Sequence, residues 1–335
     1  MIEKLAGNPL HNLHSAPNNT IEQKVADRHA DQAELHVHAP ENLVTTPPPL
    51  PTAHIKIHEL HHGPTRNKPP TCLLLHGLGD SSAIWHPIVP GLQSHCRLLS
   101  ADLPGHGESG WDPQARYSVN DHVAAVLTEI HSQNLTDLAL VGHSLGAQVA
   151  LHIAATHPEC VTHLVLADFG PDRSRESCEA VLTAVRASIR QYPSVEDYAT
   201  TLLQQRPMTS LELARYLAKA SLRPHPTGGF VPKTDPAVTT IDLEAVSDER
   251  LWAMLKAVRC PALVMRGSGS AVLRDSIARK MLEALRDGQY HVVPAAGHSV
   301  MTDNPHDCTT AISTFLRGGR VQTPHPSSQS TGSWA

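Results

Sequence analysis

The sequence lacks the features that mark membrane, secreted and nucleic-acid-binding proteins. No apolar run reaches about 18 residues, so we expect no membrane span. Residues 1–9 contain neither the basic nor the apolar region of a secretory signal. The net charge is −5 and no basic run is present, which argues against a nucleic-acid surface. The six cysteines form no C-x-x-C pair, a pattern that favours reduced thiols in a cytoplasmic protein.

The chain is long enough for a sizeable hydrophobic core. Its 335 residues are 40% hydrophobic and 18% charged, which suits one large α/β domain with an insertion, or two small domains. Histidine is abundant, with 24 residues, and five lie in the first 38 residues without cysteine or helical i, i+4 spacing. We therefore expect residues 1–52 to be an extended, disordered leader without a metal site. We also expect residues 318–335 to be a disordered tail.

Short apolar runs alternate with helical patterns along the middle of the chain. Such runs are typical of strands that are buried on both faces of a parallel sheet, so the pattern predicts a mostly parallel sheet with helices on both faces. Ser118 and Asp121 predict a capped helix start. From residue 171 to 255 helical patterns replace the strands, and the segment 223–230 is predicted to be a loop. The predicted strands cover residues 54–61, 72–76, 97–100, 138–141, 161–166, 262–265 and 290–293.

Gly142-His143-Ser144-Leu145-Gly146 is the most informative stretch of the sequence. It lies between the apolar run 138–141 and the helical run 147–155. This order predicts a strand, a tight turn and a helix, with Ser144 at the apex and glycines where side chains would collide. The first N–H groups and the positive dipole end of the helix would lie beside the hydroxyl, where they can stabilise negative charge.

Three further motifs follow or precede this turn in a recognisable order. His76-Gly77-Leu78-Gly79 follows an early strand, Asp102-Leu103-Pro104-Gly105-His106-Gly107 follows the next, and Gly297-His298 follows the last. With these motifs the chain resembles the α/β-hydrolase superfamily, specifically its serine hydrolases with a helical cap. The resemblance implies an α/β-hydrolase core formed by residues 53–170 and 256–317, and a helical cap inserted at residues 171–255.

The resemblance also implies the catalytic groups. Ser144 is expected to be the nucleophile, and His298 is expected to be the base that a serine hydroxyl requires. The backbone N–H groups of Leu78 and Leu145 are expected to form the oxyanion hole. No cofactor and no metal are expected.

The acid of the triad departs from the common pattern. The family usually places it after the strand at 262–266, three residues beyond the glycine, where this chain has Ser270, followed by Ala271. Asp168 ends the preceding predicted strand, which neighbours that position in the sheet, and we assign the acid to Asp168. Asp275 is the alternative, although it falls within a predicted helix.

The expected function is hydrolysis of an ester, thioester or related acyl bond in a small, fairly apolar molecule. A serine at the turn argues against haloalkane dehalogenases and epoxide hydrolases, which use aspartate there. A carbon–carbon bond hydrolase or an amidase would use the same triad. The missing acid at the usual position also leaves open a ligand-binding or accessory protein with little turnover. The substrate and the oligomeric state are left open.

Overall fold

The computed structural model describes residues 54–64 and 69–321 of the chain. The predicted leader, residues 1–52, lies outside the described residues. Only the first four residues of the predicted tail are described, and the Val321 N–H donates to Gln289 Oε1 at 2.8 Å.

A seven-stranded sheet forms the centre of the described protein. When the strands are numbered along the chain, their order across the sheet is first, third, second, fourth, fifth, eighth and ninth. The first strand is antiparallel to the third, and all other neighbours are parallel. The prediction of a mostly parallel sheet is therefore confirmed. The nine strands are β1 (Lys56–His61), β2 (Thr71–Leu75), β3 (Arg97–Asp102), β4 (Leu138–His143), β5 (Val161–Ala167), β6 (Leu222–Pro224), β7 (Phe230–Pro232), β8 (Ala262–Gly267) and β9 (Gly288–Val293).

Helices cover both faces of the sheet because successive strand residues point to opposite sides. Leu73 and Leu75 belong to one buried cluster, whereas Cys72 and Leu74 belong to another. The described helices are α1 (Val89–Leu92), α2 (Val119–Ser132), α3 (Leu145–Thr156), α4 (Arg175–Ser188), α5 (Val195–Gln205), α6 (Leu211–Ser221), α7 (Asp248–Ala257), α8 (Asp275–Ala284), α9 (Val300–Asp303) and α10 (Pro305–Leu316). None of these helices is long and apolar enough to cross a bilayer.

The capped start predicted for α2 is present. The Ser118 side chain accepts from the Asp121 N–H, and the Asp121 carboxylate accepts from the Ser118 N–H. This reciprocal pair satisfies two N–H groups that a helix start otherwise leaves without partners.

The segment predicted as the inserted cap contains a hairpin where a loop was expected. Helices α4, α5 and α6 match the helical patterns, but the predicted loop at 223–230 is the antiparallel hairpin β6–β7. Its turn uses Gly228 and Gly229 at φ of 97° and 68°, and the Phe230 backbone pairs with Tyr192, far away in sequence. Helix α7, which contains the last residues of the predicted cap, packs on α3 and α8 and adds apolar side chains to the main core.

The strand order determines which edge of the sheet has room for a bound molecule. Strands β2 and β4 are neighbours in the sheet. After β2 the chain crosses to β3 on one side of this pair, whereas after β4 it crosses to β5 on the other side. The loops after β2 and β4 therefore diverge and leave a crevice at the carboxyl ends of the strands, where open α/β sheets bind ligands. The motifs found in the sequence follow β2, β3, β4 and β9 at this edge, and Asp168 follows β5 there.

Candidate active site

Ser144 occupies the sharp turn between β4 and α3. Its backbone has φ of 51° and ψ of −116°, an unusual conformation for a residue other than glycine. The turn needs glycine on both sides: a Cβ on Gly142 would lie 2.4 Å from the Gly146 carbonyl oxygen, and a Cβ on Gly146 would lie 2.2 Å from the Leu75 carbonyl oxygen. The Ser144 N–H donates to the Ala167 carbonyl at 3.0 Å, which ties the turn to the end of β5.

Two backbone N–H groups beside Ser144 have no acceptor among the described residues. They belong to Leu78, in the loop after β2, and to Leu145, the first residue of α3. The β2 loop is in contact with the turn, because a Cβ on Gly77 would lie 3.2 Å from the Ser144 Cβ. Since buried N–H groups are nearly always paired, two free donors at one serine are available to an oxygen of a bound molecule.

His298 follows β9 and forms a hydrogen-bonded pair with Asp168. The Nδ1 atom of His298 lies 2.7 Å from Asp168 Oδ2. The Asp168 side chain is fully buried, whereas His298 is 26% exposed. A carboxylate accepts only, so Nδ1 carries the proton of this bond and Nε2 is left to accept one in the neutral ring. Ser144 and His298 line the same cavity, whose volume is about 480 Å³.

Asp168 is held by three donors. Besides His298, the Gly267 N–H donates to Oδ1 at 3.1 Å and the Ser270 hydroxyl donates to Oδ2 at 2.5 Å. Ser270 stands where the family usually has its acid, and the structure gives its hydroxyl a supporting position beside Asp168. The alternative acid, Asp275, instead accepts hydrogen bonds from Tyr290 and Arg279 at the start of α8.

The other histidines of the motifs have structural partners. His76 accepts the Leu103 N–H at Nε2 and pairs through Nδ1 with the Gly77 carbonyl. His106 accepts the Gly79 N–H in the same manner, and burial lowers the pKa of His106 to about 3. These rings join the loops after β2 and β3, so they shape the loop that contains Leu78.

His143 is buried directly before Ser144. Its Nε2 donates to the His298 carbonyl at 2.9 Å, which joins the serine turn to the histidine loop. Burial first, and then repulsion from His298, hold the pKa of His143 well below its ordinary value. The neutral ring is therefore a positioning group between the two loops.

Helix α4 covers the large cavity with small apolar side chains. Arg206, at the end of α5, reaches the cavity from the inserted segment and forms an ion pair with Asp80. Burial alone would lower the pKa of Arg206, but attraction to Asp80 outweighs it and raises the pKa above its ordinary value. Asp80 lies two residues after Leu78, so the ion pair connects the cap to the loop with the free N–H. The α4 side chains that line the cavity include Ala180, Val181, Ala184 and Val185.

Sequence reasoning located five positions here and missed the groups that support them. Ser144, Leu145, Leu78, His298 and Asp168 all lie at the carboxyl edge of the sheet. The supporting groups, among them Ser270, Asp80 and Arg206, carry no local sequence signal because each is paired with a residue at least 100 positions away. Within residues 54–64 and 69–321, no group of three or more His, Cys, Asp or Glu side chains is arranged to hold a metal ion.

The comparisons with known proteins identify the family of this fold. A model described as "Alpha/beta hydrolase family" matches residues 72–311. A 2-(acetamidomethylene)succinate hydrolase of Mesorhizobium japonicum is 27% identical over 247 residues, covering 74% of this chain and 88% of that protein. Esterase Rv0045c of Mycobacterium tuberculosis is 28% identical over 258 residues, covering 74% and 82%. The crystal structure of an E-2-(acetamidomethylene)succinate hydrolase has a TM-score of 0.69 at 26% identity, covering 78% of this chain and 95% of that chain. The chain belongs to the alpha/beta hydrolase family.

Proposed function

We propose that this hydrolase is a serine hydrolase that cleaves an ester, thioester or related acyl bond through an acyl-enzyme. The observation that carries the proposal is the arrangement of three side chains at one edge of the sheet. Ser144 projects from a strained turn, and the cavity that it lines is also lined by His298, whose Nδ1 is 2.7 Å from the buried Asp168.

In this mechanism His298 removes the proton from the Ser144 hydroxyl as Oγ attacks the acyl carbon. The imidazolium that forms is stabilised by the Asp168 carboxylate, which also holds the ring in the required tautomer. His298 then donates the proton to the leaving group. A water molecule, activated in the same way by His298, hydrolyses the acyl-enzyme and releases Ser144.

The N–H groups of Leu78 and Leu145 are the proposed oxyanion donors. Negative charge develops on the carbonyl oxygen in the tetrahedral intermediate, and fixed donors stabilise it without reorganisation. Their support is that neither has another acceptor in the described part of the chain. The ion pair between Asp80 and Arg206 holds the loop of Leu78 in place.

The substrate is proposed to be a small molecule with a fairly apolar acyl or leaving group. Support comes from the small apolar side chains of α4 along the cavity wall. Among the relatives, one is named an esterase and another a hydrolase of a substituted succinate, so ester cleavage has precedent at this level of similarity. A cytoplasmic location is proposed because all six cysteines are free thiols.

A fluorophosphonate probe tests the proposal directly, because it labels an activated serine and leaves ordinary serines unmodified. We expect one label per chain on Ser144, together with turnover of p-nitrophenyl esters. Ser144→Ala should abolish labelling and lower kcat by about 10⁴-fold or more. The matched control is Ser132→Ala at the exposed end of α2, which should label and turn over as the unmodified chain does. Unchanged ester turnover in Ser144→Ala would refute the proposal.

A further inference from the structure

A second, smaller cavity adjoins the large one beside Ser144. Its volume is about 30 Å³, and the two cavities share Ser144, Ser177, Val181 and Val272 in their walls. Its lining also includes residues of α3 and of the loop between β5 and α4. The side chains that matter below are Gln148, Phe169 and Arg173.

Gln148 contributes a buried amide with an unused donor. It lies one helical turn after Ser144 and therefore on the same face of α3. Its side chain is 1% exposed; Oε1 accepts from Arg173 Nη1 at 3.2 Å, and Nε2 has no partner among the described residues. An unsatisfied buried donor is destabilising, and such groups are rare in native proteins unless they bind something.

Arg173 adds a cation whose charge is not neutralised by an adjacent carboxylate. Its Nε also lacks a partner, and no described carboxylate lies within 4.0 Å of its guanidinium. The guanidinium carbon lies 5.4 Å from the centroid of the Phe169 ring, within the range of a cation–π contact.

The acidic groups near this arginine act from a distance. Burial lowers the pKa of Arg173, while Asp248, Glu244 and Asp242 oppose that change. Asp248 is itself engaged, since it accepts the Asp172 N–H at 2.8 Å. An arginine keeps its proton in proteins, so the wall of the cavity carries a half-buried positive charge whose Nε–H has no partner among the described residues.

We propose that this cavity is a carboxylate subsite, and that the substrate carries a second carboxylate on its acyl part. Arg173 and Gln148 bind that carboxylate while Ser144 attacks the scissile carbonyl, so the inference rests on the proposed function and deepens it. The acyl part is assigned here because the leaving group must be protonated by His298. His298 lines only the large cavity, and the leaving group therefore occupies that cavity.

The size of the cavity agrees with a carboxylate. One water needs roughly 10–15 Å³ of such volume, so the cavity accommodates about two oxygen atoms. The fork of donors of a guanidinium matches two carboxylate oxygens, and charge-assisted bonds of this kind are about twice as strong as neutral ones. The preferred substrates are thus half-esters, or related monoacyl derivatives, of short dicarboxylic acids.

The experiment compares matched acyl groups in purified full-length protein. The p-nitrophenyl hemiesters of succinate, glutarate and adipate are compared with neutral p-nitrophenyl butyrate, valerate and hexanoate. We expect at least one hemiester to have a kcat/KM about 10-fold or more above that of its neutral match. Arg173→Met should lower that ratio by about 10- to 100-fold, and Gln148→Met should lower it by a smaller factor.

The matched control is Arg175→Met, which removes an exposed positive charge two residues away and should leave the ratio unchanged. A ratio near one for all three chain lengths would overturn the proposal. Equal ratios in Arg173→Met, Gln148→Met and the unmodified chain would also overturn it. A preference seen only when the carboxylate is on the leaving alcohol, as in acyl esters of 4-hydroxybenzoate, would contradict the assignment of the acyl part.

A separate measurement distinguishes failure of this inference from failure of the proposed function. Absence of fluorophosphonate labelling would remove the serine mechanism and leave the subsite to be judged by binding. Glutarate binding, measured by calorimetry in the Ser144→Ala protein, should be weakened about 10-fold or more by Arg173→Met. No detectable binding of glutarate, or binding that Arg173→Met does not change, would overturn the subsite.

Discussion

The proposed position of the triad acid gives the sharpest prediction, because the acid could be placed after either of two neighbouring strands, at Asp168 after β5 or at position 270 after β8. Asp168 Oδ2 receives both the His298 Nδ1 proton, at 2.7 Å, and the Ser270 hydroxyl, at 2.5 Å. Asp168→Asn removes the charge that stabilises the imidazolium and presents an amide that permits the wrong tautomer. We expect kcat to fall by about 10²–10⁴-fold, which corresponds to about 3 to 5 kcal/mol of transition-state stabilisation.

The reverse substitution tests whether the acid can be moved. In the Asp168→Asn background, Ser270→Asp places a carboxylate where a hydroxyl already reaches the same hydrogen-bonding position. We expect kcat to recover by about 10-fold or more over Asp168→Asn alone. In the unmodified chain, Ser270→Asp should instead lower activity and stability. Two carboxylates about 4 Å apart repel each other by about 4 kcal/mol at an effective dielectric constant of about 20.

The assay is steady-state hydrolysis of a p-nitrophenyl ester by the four proteins, with thermal unfolding to confirm that each is folded. Asp275→Asn is the matched control, because it removes the alternative acid, which pairs with Arg279 and Tyr290 instead of His298. Its kcat should be unchanged. Full activity in Asp168→Asn, or a large loss in Asp275→Asn, would refute the assignment of the acid.

Two further predictions concern the cap and acid stability. Arg206→Met leaves Asp80 buried without its partner, so it should cost about 3 kcal/mol and lower kcat, whereas adding Asp80→Asn should restore part of the melting temperature. His122→Leu should make the protein more resistant to acid, because burial lowers the folded-state pKa of His122 to about 3. Between pH 6.5 and 3 the unfolded state therefore binds a proton that the folded state does not. The free energy of unfolding consequently decreases as the pH is lowered through this range. At pH 5 this loss of stability is about 2 kcal/mol. Urea unfolding of the unmodified protein and of His122→Leu at pH 7.5 and pH 5 would measure it. Equal pH dependence of the two proteins would contradict the prediction.

The central sheet was predictable because its parallel strands are buried on both faces. A run such as residues 138–141 is apolar throughout, so it lacks the polar face that an amphipathic helix would show. The observed strand begins at the same residue. The hairpin β6–β7 was not predictable, since its strands have three residues each and one is anchored to Tyr192. The packing of α7 on α3 and α8 was not predictable, because amphipathic spacing identifies an apolar face without identifying the surface against which it packs.

The site divides in the same manner between local and non-local information. Ser144, His298 and Asp168 each follow a predicted strand, so the sheet alone brings them to one edge. Gln148 had a signal that could have been used, since four residues after Ser144 is one turn along the same helix face. Arg173 had none, because its lack of a neighbouring carboxylate is a property of the folded chain.

The adjacency of β5 and β8 supports the proposal that the acid lies outside the usual loop. Ala167 pairs with Met265 in the parallel register, so Asp168, the first residue after β5, lies beside the end of β8. The Gly267 N–H donates to Asp168 Oδ1, and Ser270, three residues further on, donates to Oδ2. A carboxylate reaching from either strand end would therefore meet the same imidazole edge. In the proposed mechanism this edge of the sheet needs one negative charge, and a carboxylate at either backbone position would supply it. A serine at position 270 is compatible with the aspartate at position 168, because a carboxylate in both places would repel its neighbour, whereas the hydroxyl donates to the buried carboxylate.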